Sequence, residues 1–168
     1  MFDLTEEQGA IKEAVGAVCA QFDEQYWAEC DRTEQFPREF HRAMANAGWL
    51  GVTMPEEYGG AGLGVTEAAL VMHTVAGAGG GMTAASSIHI NMFGPHPMIV
   101  HGTAEQKKLW VPDLVAGKDQ VCFGVTEPDA GLDTTSIKTF ARKVPGGYMV
   151  SGRKMWTSTG QVANKILL

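Results

Sequence analysis

Apolar residues recur at helical spacing near the start of the chain. Intervals of three or four residues are typical of the buried face of an amphipathic helix. Thr5 precedes this stretch and Gln8 follows Thr5 by three residues, which is the pattern of a capping box. The sequence therefore predicts a helix that begins after Thr5. Its apolar face would consist of Ile11, Ala14, Val15, Val18 and Phe22.

A second helix is predicted from Pro37 to Gly48. Proline suits the first helical position because its φ is already near the helical value, and glycine suits the left-handed residue that follows a helix. Phe40, Met44 and Ala47 are expected to form the buried face of this helix.

Further helical patterns follow up to the middle of the chain. Thr66 is expected to cap a third helix, and Thr103 begins a second capping box. Residues 83–101 are predicted to be helical with a break at Pro95 and Pro97, because proline removes a donor and clashes with the preceding turn.

After Gly117 the pattern changes to short runs rich in β-branched and aromatic residues, at 121–126, 137–144 and 148–151. Residues 145–147, Pro-Gly-Gly, separate the last two runs and are typical of a hairpin turn. This part of the chain is therefore predicted to be antiparallel β structure.

Helices followed by strands, without βαβ alternation, predict an α+β fold. We expect an all-α helical domain over residues 1–118 and a β domain over residues 119–168. The apolar run at residues 164–168 begins and then stops, and we expect that it has no strand to return to. The sequence thus predicts a chain that is cut inside its β domain.

Composition and charge exclude several classes of protein. The 168 residues include 13 Lys and Arg against 19 Asp and Glu, and the net charge of −6 excludes binding to nucleic acid through bulk positive charge. A hydrophobic content of 45% excludes a disordered chain. No apolar stretch approaches the length of a membrane span.

Cysteine usage and the first residues favour a cytoplasmic location. The three cysteines show no C-x-x-C spacing, which is typical of free thiols in a reducing compartment. The chain starts with acidic residues where a signal or transit peptide carries Arg or Lys.

Common catalytic and cofactor motifs are missing. The 21 glycines cluster at residues 59–64, 77–81 and 124–131, but none of these clusters matches G-x-G-x-x-G after a parallel strand, which disfavours a Rossmann site. No G-x-S-x-G motif occurs. The histidines have no acidic or cysteine partner at ligand spacing, so no metal site is predicted.

Two segments, residues 125–133 and 154–160, are unusual for turns. The first combines small residues with exposed amides, and the second places Trp156 beside three hydroxyl groups. They could be polar loops at strand ends with a buried Trp. Alternatively, together they could stack an aromatic cofactor and hydrogen-bond its edge.

Four ordered motifs resemble those of the acyl-CoA dehydrogenase family. They are residues 55–64 (PEEYGGAGLG), 102–108 (GTAEQKK), 125–133 (VTEPDAGLD) and 152–156 (GRKMW). The resemblance implies a helical N-terminal domain and a middle β domain. We expect this middle domain to be an incomplete antiparallel β-barrel-like domain here, and the family's C-terminal helical domain to be absent from this chain.

By the same resemblance, FAD is expected against the β domain. The implied cofactor-binding residues are Phe123, Val125, Thr126, Trp156, Thr157 and Ser158. Phe123, Val125 and Thr126 fall on the strand that hydrogen-bonds the pyrimidine edge of the flavin. Trp156 and Ser158 match residues at the flavin face and N5, where a donor favours the electron-rich reduced ring.

The resemblance also implies substrate contacts. Phe93, Gly94, Pro95 and Met98 fall where family members line the acyl-chain pocket, although ordinary helix packing would explain each of them equally well. Leu132 stands where the family usually has a serine that contacts the CoA part of the substrate. Leucine has no donor, which puts the usual thioester preference in question.

No catalytic residue is assigned in this chain. Oxidation needs a carboxylate that takes the α-proton while the β-hydride goes to flavin N5. In most of the family this glutamate comes from the C-terminal domain. Carboxylates such as Glu127 are available here, but nothing in the sequence gives one of them this task. We therefore expect the 168-residue chain to be inactive alone.

The leading hypothesis is FAD-dependent dehydrogenation of an acyl-CoA thioester to the 2,3-enoyl-CoA, a step of fatty acid metabolism. The resemblance implies an electron-transferring flavoprotein as acceptor and a homotetramer for the full-length enzyme. One alternative is a flavoprotein of the same superfamily with a non-standard substrate, which Leu132 favours. Another is a non-catalytic binding module on the same scaffold.

Overall fold

The computed structural model describes residues 3–168 and has an α+β fold, as predicted. Helices occupy the first two-thirds of the described chain and short strands the remainder. The helices are α1 (Glu6–Cys19), α2 (Glu24–Arg32), α3 (Arg38–Asn46), α4 (Val65–Gly77), α5 (Gly81–Phe93), α6 (His96–His101) and α7 (Ala104–Val115). The strands are β1 (Val121–Phe123), β2 (Phe140–Val144), β3 (Gly147–Ser151) and β4 (Lys165–Leu167).

Both predicted capping boxes are confirmed. The Thr5 hydroxyl accepts a hydrogen bond from the Gln8 amide at 3.2 Å, while the Gln8 side chain accepts one from the Thr5 amide. Thr103 and Gln106 make the same pair of bonds at the start of α7. Each box satisfies donors that a helix start would otherwise leave without a partner.

Helices α1, α3, α4 and α5 share the hydrophobic core of the helical region. Phe40 and Met44 are fully buried, together with Leu50 and Ile88. The ring of Phe40 makes an edge contact with Trp27 of α2 at 5.0 Å between centroids. The sequence analysis did not predict α2, a helix of nine residues in which none is fully buried.

Two details of the predicted helices differ from the structure. Helix α4 begins at Val65 after Gly64, whose amide donates to the Glu67 carboxylate at 3.0 Å, so the prediction that Thr66 caps this helix is wrong. Ala47 is exposed at the end of α3, and Ala45 takes the buried position instead. These errors are small shifts along a helix, which apolar spacing does not resolve.

Two predicted chain breaks are confirmed. Gly48 follows α3 with φ of 83°, a left-handed conformation that favours glycine. Helix α5 ends at Phe93 and α6 begins at His96, so the helical run breaks next to Pro95.

The β region contains two separate pairs of strands. Strands β2 and β3 form the predicted antiparallel hairpin, with Phe140 opposite Ser151 and Val144 opposite Gly147. Strands β1 and β4 pair in parallel, with Val121 opposite Lys165. The prediction of purely antiparallel structure is therefore wrong for this pair. The expectation that the last apolar run lacks a strand partner is also wrong, because the connection through residues 124–164 returns it alongside β1.

Asn91 joins the helical region to the β region. This buried side chain of α5 donates to the Asp119 carbonyl at 2.9 Å and accepts from the Val121 amide at 3.1 Å. Both polar ends of the amide are satisfied, so its burial carries no desolvation penalty from a missing partner. The bonds hold the start of β1 against the helices.

None of the helices described in residues 3–168 is long and apolar enough to cross a membrane. Within the same residues, no cluster of three His, Cys, Asp or Glu side chains is placed to hold a metal ion.

Candidate functional site

The two segments that carry the predicted cofactor residues lie side by side. The amide of Met155 donates to the carbonyl of Thr126 at 2.8 Å. The ammonium of Lys154 donates to the carbonyl of Val125 at 2.9 Å. The structure thus brings Val125 and Thr126, which follow β1, into direct contact with the residues that precede Trp156.

Residues 125–127 and residues 154–156 meet at a place that we call the junction. The side chain of Glu127 holds the two segments together. Its carboxylate accepts hydrogen bonds from the amides of Lys138 at 2.6 Å and Thr139 at 2.8 Å, and from the Lys154 ammonium at 3.0 Å. The side chain is only 5% exposed. One carboxylate therefore ties together the loop after β1, the start of β2 and the segment after β3.

The surroundings of Glu127 strongly favour its charged form. Hydrogen bonds from Thr139 and from the Lys138 amide, together with the Lys154 ammonium, lower the pKa of Glu127 to about 2. A general base needs a pKa near the working pH and a lone pair free to take a proton. The pKa of Glu127 is too low for this task, and three donors already occupy its carboxylate, which favours a structural role.

Two glycines allow the segments to approach closely. A Cβ atom at Gly152 would collide with the Thr139 side chain, next to the Glu127 carboxylate. A Cβ atom at Gly124 would lie 3.1 Å from Ile166 and 3.5 Å from the aliphatic stem of Lys154. Packing therefore requires glycine at position 152 and leaves little room for a side chain at position 124.

The segment after β1 offers donors to a ligand. The carbonyls of Val125 and Thr126 are occupied by Lys154 and Met155. Among residues 3–168, no protein group accepts a hydrogen bond from the amides of Val125 and Thr126 or from the Thr126 hydroxyl. Both residues are half-buried. This arrangement suits a ligand edge that carries acceptor nitrogen and oxygen atoms.

Trp156 presents its ring to solvent. The side chain is 82% exposed, and the backbone has φ of 54°, which is uncommon for a residue with a bulky side chain. The alternative of a loop with a buried Trp is therefore wrong. An exposed ring held beside free donors is available to stack on a planar ligand.

The two hydroxyl residues after Trp156 differ in their surroundings. Ser158 is exposed, whereas Thr157 is half-buried and lines a cavity of about 710 Å³. Residues 34–38 and the first half of α5 form the other walls of this cavity. Thr159 follows, and its hydroxyl lies 2.6 Å from the Ser158 carbonyl and 3.2 Å from the Val121 carbonyl of β1.

Phe123 connects the predicted cofactor residues to the predicted substrate residues. Its ring, at the end of β1, makes an edge-to-face contact with Phe93 at 5.7 Å between centroids. Phe93 also lines an apolar cavity of about 610 Å³ between α4 and α5. The two regions are thus continuous through a pair of partly exposed rings.

The other predicted substrate residues lie elsewhere. Gly94, Pro95 and Met98 line a separate apolar cavity of about 460 Å³, bounded by α7 and β4. In the structure these three residues lie in this cavity and Phe93 lies in the other one. Leu132 is fully exposed on the loop after β1 and lines neither cavity.

Sequence reasoning missed the role of one pair. Glu127 and Lys154 each lie within a motif that it singled out, but no function was assigned to either. Sequence carries little signal for this pair, because Asp129, Asp133 and Arg153 lie in the same motifs and a glutamate and a lysine predict an ion pair only if both are buried. Burial itself became visible only in the folded chain.

The segment after β1 combines donors that have no protein acceptor with the exposed ring of Trp156, an arrangement suited to a planar ligand with acceptor atoms along one edge. Comparison with known proteins identifies the family. The family model "Acyl-CoA dehydrogenase, N-terminal domain" matches residues 5–118, and "Acyl-CoA dehydrogenase, middle domain" matches residues 122–168. The chain therefore belongs to the acyl-CoA dehydrogenase family.

Individual relatives agree with this assignment. Isovaleryl-CoA dehydrogenase, mitochondrial, of Solanum tuberosum is 34% identical over 170 residues, covering 100% of this chain and 40% of the relative. A glutaryl-CoA dehydrogenase structure from Mycobacterium smegmatis in complex with FADH2 superposes with a TM-score of 0.87 at 26% identity, covering 97% of this chain and 42% of that one.

A further solved structure is described as the electron transferring flavoprotein of Acidaminococcus fermentans. It superposes with a TM-score of 0.81 at 30% identity, covering 97% of this chain and 43% of that one. The chain thus spans about 40% of the length of the curated relatives that it matches.

Proposed function

We propose that this chain binds FAD and contributes to FAD-dependent dehydrogenation of an acyl-CoA thioester to the 2,3-enoyl-CoA. The observation that carries the proposal is the junction of Thr126 and Met155, whose 2.8 Å hydrogen bond places free donors next to the exposed ring of Trp156. Family membership supports it, as does the FADH2 bound in the M. smegmatis glutaryl-CoA dehydrogenase.

The described residues fit this cofactor. The amides of Val125 and Thr126 and the Thr126 hydroxyl would bind the acceptor atoms of the flavin pyrimidine edge. The Trp156 ring would lie against the flavin face, and Ser158 would donate to N5. When bound, FAD supplies the acceptor for the substrate hydride. The protein contributes position and hydrogen bonds.

We propose a two-domain division of the chain, with a helical domain over residues 1–118 and a middle domain over residues 119–168. The end of α7 at Val115 and the start of β1 at Val121 support a boundary between them.

The acyl part of the substrate is proposed to lie against Phe93, whose ring touches Phe123 and lines an apolar cavity. Gly94, Pro95 and Met98 would contribute through the neighbouring cavity. Isovaleryl-CoA and glutaryl-CoA appear in the names of two relatives. We therefore propose that acyl-CoA substrates with a short acyl chain are tested first.

Leu132 favours a second candidate, a family member with a non-standard substrate. Its fully exposed side chain has no donor, so it cannot form the hydrogen bond that a serine would make to the CoA part. A panel of acyl-CoA and non-CoA acyl substrates would separate the two candidates.

Turnover requires a base that we do not find at this junction. Glu127 holds its charge through three hydrogen bonds and is unsuited to proton abstraction at neutral pH. We therefore propose that the 168-residue chain binds FAD without turning over acyl-CoA.

Titration of the chain with FAD tests this proposal. Saturable quenching of flavin fluorescence is expected, with no reduction of a dye acceptor when an acyl-CoA is added. Absence of flavin binding would contradict the proposed function, and acyl-CoA-dependent dye reduction would contradict the proposed inactivity.

The proposal also covers the electron acceptor, the oligomeric state and the cellular location. An electron-transferring flavoprotein is the proposed acceptor, and a homotetramer is the proposed form of the full-length enzyme. The cytoplasmic location stays a prediction, because several relatives carry the word mitochondrial in their names. Light scattering on the full-length protein would test the tetramer.

A further inference from the structure

The Lys154 side chain touches the loop after β1 at three points. Its aliphatic stem lies against Gly124, and its ammonium donates to the Val125 carbonyl at 2.9 Å and to Glu127 at 3.0 Å. Only 11% of the side chain is exposed. A lysine in this setting is nearly removed from water.

Such burial is costly unless the charge is well paired. Here the carboxylate of Glu127 accepts two backbone amides in addition to the ammonium, and the ammonium also reaches a carbonyl. Charge-assisted hydrogen bonds of this kind are short and directional. They therefore define the relative position of the segments they join more sharply than apolar contacts do.

We propose that Lys154, held by Glu127, is a positioning residue for FAD: it fixes residues 123–127 against residues 154–158, the two segments that carry the flavin contacts. This inference rests on the proposed function, since it concerns the same cofactor. Lys154 does not touch the flavin in this proposal. It acts by donating a hydrogen bond to the Val125 carbonyl and by fixing the position of the backbone that carries Trp156.

Occupation of the Val125 carbonyl determines what the loop offers to a ligand. With Lys154 present, the carbonyls of Val125 and Thr126 are taken and the remaining free groups are donors. Without the ammonium, the Val125 carbonyl becomes an acceptor without a partner next to a flavin edge that is itself rich in acceptors. Repulsion between acceptors then disfavours binding.

An exposed ion pair provides a matched control. Lys118 lies 3.2 Å from Asp113, but its side chain is 73% exposed and lies outside the junction. Exposed pairs contribute little to stability because water and salt screen them. Replacement of Lys118 by methionine removes the same charge and donor as the equivalent change at Lys154.

The experiment compares FAD binding by the 168-residue chain and by Lys154→Met, Lys154→Arg, Glu127→Gln and Lys118→Met. Loss of a charged hydrogen bond predicts at least about tenfold weaker binding for Lys154→Met. Lys154→Arg should bind more tightly than Lys154→Met because it retains the charge and donors. Lys118→Met should match the wild-type chain.

Two further readouts separate positioning from general instability. The visible absorption band of bound FAD should shift in Lys154→Met relative to wild type, since the flavin surroundings change. Hydrogen exchange of the Met155 amide should accelerate, while exchange in the core of α3 stays unchanged. Circular dichroism identifies any variant that fails to fold, and Glu127→Gln then replaces Lys154→Met as the deciding variant.

The outcomes distinguish the two proposals. If the wild-type chain binds no FAD, the proposed function is wrong and the positioning role falls with it. If the wild-type chain binds FAD but Lys154→Met and Glu127→Gln bind it equally well with the same spectrum, only the positioning role is wrong.

Discussion

The Glu127 carboxylate lies 3.0 Å from the Lys154 ammonium, and both side chains are almost fully buried. The two residues are 27 positions apart in the chain. Their contact joins the loop after β1 to the segment after β3. Because each segment carries predicted cofactor residues, this pair joins the two halves of the proposed site.

Acid should weaken the fold through Glu127. Its pKa of about 2 lies below the ordinary value of 4.5, so the folded state binds this proton less readily than the unfolded chain does. The stabilisation is present above about pH 4.5 and is lost as the pH falls towards 2. Urea denaturation at pH 5, 4 and 3 should show a steeper loss for wild type than for Glu127→Gln. Equal slopes would contradict this assignment.

At less acidic pH, His41 should make the largest contribution to the pH dependence of stability. Burial, with a smaller effect of Arg38, lowers the pKa of His41 from 6.5 to about 4, and its Nε2 has no hydrogen-bond partner among residues 3–168. The neutral ring is favoured in the folded state, so stability should fall as the pH drops from about 6.5 to 4.

The size of this effect is at most about 3 kcal/mol, from the shift between the two states. His41→Gln should flatten the dependence of unfolding free energy on pH in this window. His101→Gln, at an exposed position, serves as the control and should retain it. An unchanged slope in His41→Gln would rule out His41 as the source.

Phe40→Ala should severely destabilise the helical region. Phe40 is fully buried and contacts Trp27, so its truncation removes apolar contacts and leaves a cavity at a cost of about 3–5 kcal/mol. Phe140→Ala makes the same change at a position 64% exposed and should cost below about 1 kcal/mol. Thermal denaturation should give a much lower melting temperature for Phe40→Ala than for Phe140→Ala. Similar melting temperatures would contradict the described core.

Gly152→Ala should disturb the junction. The added methyl group would collide with the side chain and backbone of Thr139, and overpacking of this kind costs about 1–3 kcal/mol. Gly131→Ala places its methyl group in open space and should be close to neutral. A lower melting temperature only for Gly152→Ala is expected, and a neutral Gly152→Ala would show that the segments are not held this closely.

Trp156→Ala should weaken FAD binding without lowering the stability of the fold. The exposed ring contributes little to the fold, so the melting temperature should change by no more than that of Tyr148→Ala, another exposed aromatic. Loss of stacking should weaken FAD binding by about tenfold. Flavin fluorescence titration measures this effect, and unchanged affinity would remove Trp156 from the proposed site.

Local features of the chain were predictable because they depend on neighbours in sequence. Thr5 and Gln8 form their capping box within one turn, and residues 145–146 form the turn between adjacent strands β2 and β3. The motifs that revealed the family are likewise continuous segments. For such features, spacing and residue type carry the relevant physics.

Contacts between distant segments were not predictable in this way. The parallel pairing of Val121 with Lys165 and the separation of Phe93 from Gly94 into different cavities depend on how the chain returns through space. The same holds for the burial of Glu127 with Lys154. From sequence alone, a charged residue is expected to be exposed. Only the packing of the folded chain buries Glu127, pairs it with Lys154 and strongly lowers its pKa.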